Sequence, residues 1–345
     1  MTKSPLLLLF FLVISIHNAS AHGSSCFGSG ESRLVDRCLL SNLGNGMVSV
    51  EALTEIDTRF KQMGYVRGIG IDTNSPDLNL LSIQIDPNLR YSSNTNGGNP
   101  RKDLVLHGYN FAGTEDNWAT AGLLVGINAK VNASAPILVF GEGRFVALTA
   151  HFLEEASGKG EKLSSNNFTL CSKNHLLDWW YLDSCYKLQS NSTILTDYTS
   201  STKELMLEKV FNPSIWGYSS IKVSVAKDST PIFDQNKIKL GGAVMFYKGT
   251  SISYTRTLGV SVEGFLSLKT GNVFSFQNQS LSLNLGYYEW EGGSLMGVPR
   301  DDIIKSISVS KEIGENIIID VGFSETKSTI DYFTSLSPYL SVRIP

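Results

Sequence analysis

Beyond its N-terminal segment the chain has no apolar run approaching the roughly 20 residues a membrane-spanning helix needs, and no long helical hydrophobic period stands in for one. If such a chain enters a membrane, it does so as strands. Histidine is scarce: of five, only His107, His151 and His175 lie beyond His22. His151 with Glu154 and His175 with Asp178 are the local His–acid pairs, and neither accompanies a nucleophile elbow. Phosphate loops, dinucleotide fingerprints and metalloprotease helices are missing too. The expectation is therefore a protein with no catalytic residue, no metal and no cofactor. A basic excess is also lacking, since 29 Lys and Arg against 32 Asp and Glu leave a net charge of −3, which argues against a nucleic-acid partner.

What is present begins with an export signal. Lys3 supplies a positive start, Leu6 to Ile16 an apolar stretch, and Ala19-Ser20-Ala21 a small-x-small cleavage site, so residues 1–21 read as a signal peptide with the mature chain starting near His22. The four cysteines form an even set in an exported chain and predict two disulfides. Cys26 with Cys38 and Cys171 with Cys185 are the pairings that proximity favours. Residues 22–46, polar and rich in Gly and Ser, read as a short disulfide-tied lead-in, and 47–345 as the main structural unit. Val50 to Met63 fits either a strand or a helix, because Ala52, Leu53, Ile56 and Phe60 recur near helical spacing.

From there a period of two dominates. Leu123, Val125, Ile127, Ala129 and Val131 fall on one face of a strand, and Leu124, Gly126, Asn128, Lys130 and Asn132 on the other. Leu281 to Tyr287 and Ile317 to Ser324 repeat this grammar. Further strand candidates include 65–71, 104–111, 137–152, 252–268 and 273–288, with turns expected at Asn96 to Pro100, Lys248-Gly249-Thr250, Thr270-Gly271-Asn272, Glu291-Gly292-Gly293 and Gly314. Alternation alone fits both an outward-greasy barrel and an inward-greasy soluble sandwich. Strand length favours the barrel, because many candidates reach the roughly 9 to 11 residues of a tilted membrane strand. The wet faces carry Asn128, Lys130, Glu142, Arg144, Asn284 and Asp320, which would suit an aqueous lumen. Trp179, Trp180, Tyr181, Tyr186, Tyr287, Tyr288, Trp290, Tyr332, Phe333 and Tyr339 lie toward strand ends, where an interfacial girdle belongs.

Asp72 to Asp77 offers hard oxygen ligands for calcium but lacks EF-hand spacing, and reads as a plain turn.

With its signal, amphipathic strands, aromatic strand ends and a strand at Tyr339 to Ile344, the chain resembles bacterial outer-membrane β-barrels. That resemblance implies an all-β, antiparallel, up-and-down transmembrane barrel of roughly 12 to 14 strands, located in the outer membrane. It further implies a passive pore, or a scaffold for exporting or displaying other molecules. Partners would be outer-membrane lipid and small solutes or exported proteins; the oligomeric state is open. A lipid-modifying hydrolase of the outer membrane and a secreted soluble β-sandwich that binds a partner are the competing expectations.

Overall fold

The computed structural model describes residues 26, 32–44, 53, 57, 59–61, 81–137, 143–211, 217–247, 249–314 and 317–344. The signal segment, the 65–71 strand candidate, the Asp72 to Asp77 loop and Glu142 lie outside these residues. Helix α1 (Ser32–Gly44) opens the described chain. Its apolar residues Leu34, Val35, Cys38 and Leu39 fall on one face. Residues 53, 57 and 59–61, the described part of the ambiguous stretch, are helical.

Sixteen strands follow: β1 (Leu81–Ser92), β2 (Asp103–Leu106), β3 (Tyr109–Ala112), β4 (Gly122–Pro136), β5 (Arg144–Ser157), β6 (Lys162–His175), β7 (Trp180–Ser192), β8 (Asp197–Val210), β9 (Gly217–Ser229), β10 (Asp234–Phe246), β11 (Ser251–Gly259), β12 (Ser267–Asn278), β13 (Leu281–Leu295), β14 (Val298–Ile313), β15 (Ile317–Ser328) and β16 (Ser335–Arg343). All but β2 and β3 pair with their neighbours into a closed antiparallel barrel of 14 strands, and β1 meets β16 to complete it. Closure gives each barrel strand a neighbour on both sides, although at the seam only Asn88–Ser92 of β1 pair with β16. An even strand number brings the first and last strands to the same rim, called here the terminal rim.

Several boundaries differ from expectation for identifiable reasons. Among the described residues the barrel starts at Leu81, well after Met47. The 104–111 segment is a separate hairpin, β2–β3, turned by His107 and Gly108 with φ of 50° and 81°. The 252–268 run is broken by a loop at 260–266, where Gly264 takes φ 78°. Thr270-Gly271-Asn272 is the interior of β12, and the real turn is Gln279-Ser280. Gly271 is there because a Cβ would stand 2.9 Å from the ring of Tyr288. Glu291 to Gly293 is a bulge within β13, marked by a register shift after Trp290.

The barrel is inverted relative to a soluble sandwich. Leu81, Ile83, Ile85 and Leu89 of β1 point outward and stay exposed, Ile85 by 65%, while Asp86 and Asn88 on the opposite face are buried at 5% each. The same alternation runs around the wall, with Val125, Val225, Ile238, Val321 and Leu340 outward. That removes the sandwich reading.

Candidate functional site: the lumen and its helical plug

Register assigns every strand residue to a face. Asn128 and Lys130 of β4, Asn284 of β13 and Asp320 of β15 face the lumen. Asn128 is buried; Asn284 Oδ1 accepts a bond from Ser275 Oγ at 2.7 Å. Asp320 Oδ2 accepts from Arg343 Nη2 at 3.0 Å. Arg144 is different. It has the parity of Val146 and Leu148 and so lies on the outward face at the terminal rim. The lumen placement expected for Arg144 is thereby corrected, because alternation shows which residues share a face but not which way that face points.

The cysteine pairs bond as Cys26–Cys38 and Cys171–Cys185. Cys171 and Cys185 sit directly opposite each other on the lumen faces of β6 and β7. Of the aromatic residues read as a girdle, Trp180, Tyr186 and Tyr287 face outward, whereas Tyr181, Tyr288, Trp290 and Tyr339 face in. Tyr339 lies over Gly322, where an added Cβ would stand 2.0 Å from the ring. The two His–acid pairs do not form. His151 faces the lumen and Glu154 outward; His175 packs against Tyr181 at 5.1 Å, while Asp178 binds Lys209 at 2.7 Å.

The lumen charges are largely matched in pairs. Glu204 lies between Lys187 and Lys239 at 2.7 and 2.9 Å. Glu155 binds Asn88 at 2.6 Å and also Arg90, and Asp302 binds Arg300 at 2.6 Å. Buried carboxylates of this kind are tolerable only when paired and hydrogen-bonded. Lys130 stands opposite His151 and Gln84, with no ion-pair partner among the described residues.

Helix α1 sits inside the lumen at the terminal rim. Leu34, Val35, Cys38 and Leu39 bury against Tyr181, Val210, Tyr218 and Met245, all on lumen faces. Arg33 forks between neighbouring strands, its Nη2 donating to Asp183 Oδ1 and its Nη1 to Glu208 Oε2, each at 2.6 Å. Its guanidinium lies 4.0 Å from the centre of the Tyr181 ring. Planar two-pronged donation suits Arg and not Lys. Beside α1 a cavity of about 460 Å³ remains, lined by Arg59, Phe145, Thr149, Lys173 and Tyr181 among others. Sequence reading missed Arg33, Asp183 and Glu208. Alternation places both carboxylates on the wet face, but nothing local pairs them with a helix 150 residues upstream.

An apolar outer wall, a polar lumen and closure by antiparallel pairing let the strands bond to one another while presenting lipid-compatible surface. The chain is a closed 14-strand antiparallel β-barrel with the surface of one that sits in a membrane. Its longer connection, residues 93–121, lies at the rim opposite the terminal rim and reaches Asp331 through Arg101 at 2.6 Å. No protein-family model and no curated protein matches the barrel by sequence. Among solved structures it is similar to OccK10 (OpdN) of Pseudomonas aeruginosa, with 8% identity and a TM-score of 0.40 over 77% of this chain and 98% of that one. A KdgM porin in complex with disordered oligogalacturonate gives 8% and 0.31 over 75% and 98%. A BenF-like porin from Pseudomonas fluorescens Pf-5 gives 9% and 0.37 over 77% and 98%.

Proposed function

We propose that the barrel is a passive, non-enzymatic pore of the bacterial outer membrane, narrowed at its terminal rim by α1. The observation that supports this most is the water-compatible lumen, whose cavity of about 460 Å³ persists beside the helix. Small solutes are the cargo in this reading and outer-membrane lipid is the surrounding partner. Lys130 tunes ion preference, because a charge on a lumen wall acts across a narrow aqueous path. Scaffolding the export or display of other molecules is the second reading, favoured by the extent to which α1 fills the mouth.

Reconstitution into planar bilayers tests it. Stepwise conductance is expected, with Lys130→Glu shifting reversal potential toward cations. Folded, inserted barrel that stays silent even after α1 is released by Arg33→Gln would end the pore reading and leave the scaffold. Lipid deacylation lost on His151→Ala would instead establish a hydrolase.

A further inference from the structure

On the outer wall β8 and β9 place Lys203 and Lys227 directly opposite one another, with Tyr186 on the other side of Lys203. Like charges facing each other across a strand pair destabilise it, and charge on a lipid-facing wall adds a depth-dependent cost. Lys227 Nζ is 2.6 Å from Asp234 Oδ2. Lys203 has no ion-pair partner among the described residues. The wall beside these lysines carries a wide, open depression. A groove of about 790 Å³ crosses it, lined by Leu170, Leu205, Val225 and Ile238 together with both lysines. Its size is that of a small-molecule site, roughly 300 to 1,000 Å³. The apolar lining is exposed, Val225 by 53%.

We propose that this groove is a site for one anionic lipid, whose phosphate lies between Lys203 and Lys227 and whose acyl chain fills the apolar part. Asp234 sets a single carboxylate beside the two ammonium groups; the phosphate supplies the second negative charge, and the acyl chain covers the side chains of the depression. A second barrel is a poorer occupant, since it would bring its own facing lysines to the same surface. The site depends on the membrane placement of the wall and not on conduction through the lumen, so a silent pore leaves it intact.

The test uses the full barrel in detergent micelles doped with phosphatidylglycerol or with phosphatidylcholine, and retained lipid is read by native mass spectrometry. Wild-type protein is expected to retain phosphatidylglycerol in preference, and Lys203→Gln with Lys227→Gln to weaken retention about 25-fold, each lysine near anionic lipid being worth roughly fivefold. Equal retention of the two lipids by wild-type protein overturns the proposal and needs no variant to fold. Displacement by millimolar inorganic phosphate overturns it in favour of a free-anion site, and a lipid-free dimer joined through this wall overturns it in favour of self-association.

Discussion

Arg33 and Glu208 are 175 residues apart in the chain, yet their side chains meet at 2.6 Å inside the barrel. The same guanidinium also binds Asp183. Replacing Arg33 with Gln leaves two lumen carboxylates short of their cation, and losing one partner of a buried ion pair typically costs about 3 to 5 kcal/mol. The barrel wall is held by its own strand pairing, so the expected consequence is loosening of α1. Limited proteolysis should cut the N-terminal segment sooner, and bilayer conductance should rise.

Facing decides tolerance of charge. Leu285 lies outward and Asn284 inward on β13. Arginine at mid-membrane on the lipid face costs about 2 to 4 kcal/mol. Leu285→Arg should lower the urea midpoint of refolding into vesicles, and Asn284→Arg should leave it nearly unchanged. Equal midpoints would reverse the assigned faces.

Gly322 gives up its side chain so that Tyr339 of the adjacent strand can lie across it. Gly322→Val forces the ring away, with an expected loss of about 1 to 3 kcal/mol. Adding Tyr339→Ala should recover part of that loss. A double-mutant cycle in refolding experiments measures the coupling, and additive losses would show that the contact is unimportant.

Cys171 and Cys185 close a loop with a sequence separation of 14. In the chain-entropy account a loop of this size contributes about 3 kcal/mol by restricting the unfolded chain. Serine at both positions should lower the denaturant midpoint. Peptide mapping without reductant should recover Cys26 with Cys38 and Cys171 with Cys185.

Asp178, in the turn between β6 and β7, accepts a hydrogen bond from Lys209 Nζ at 2.7 Å. That bond and the charge behind it hold its carboxyl below the ordinary aspartate value. A depressed folded value means that the contribution is present above the unfolded pKa and lost as pH falls through the folded one. Carboxyl NMR titration should give a midpoint below that of a free aspartate. Lys209→Met should raise it toward the ordinary value.

Strand content and face chemistry were legible along the chain because a strand's period is local: Leu123 to Asn132 states which residues are greasy and which are wet without reference to any partner. The turns were less legible. Gly271 looks like a reversal in sequence but lies within a strand, opposite a tyrosine that only the barrel brings near. The direction of the greasy face, and hence barrel over sandwich, needed closure of β1 on β16, since alternation is the same whichever way the sheet curls. The lumen plug was invisible for a similar reason. A helix of modest apolar character acquires its meaning only when a ring of strands sets Asp183 and Glu208 side by side around Arg33. Local pattern thus determined the type of element and the polarity of each face. Long-range pairing determined which face meets lipid, which charges share a lumen, and what stands in its mouth, because those depend on distances that no stretch of chain encodes alone.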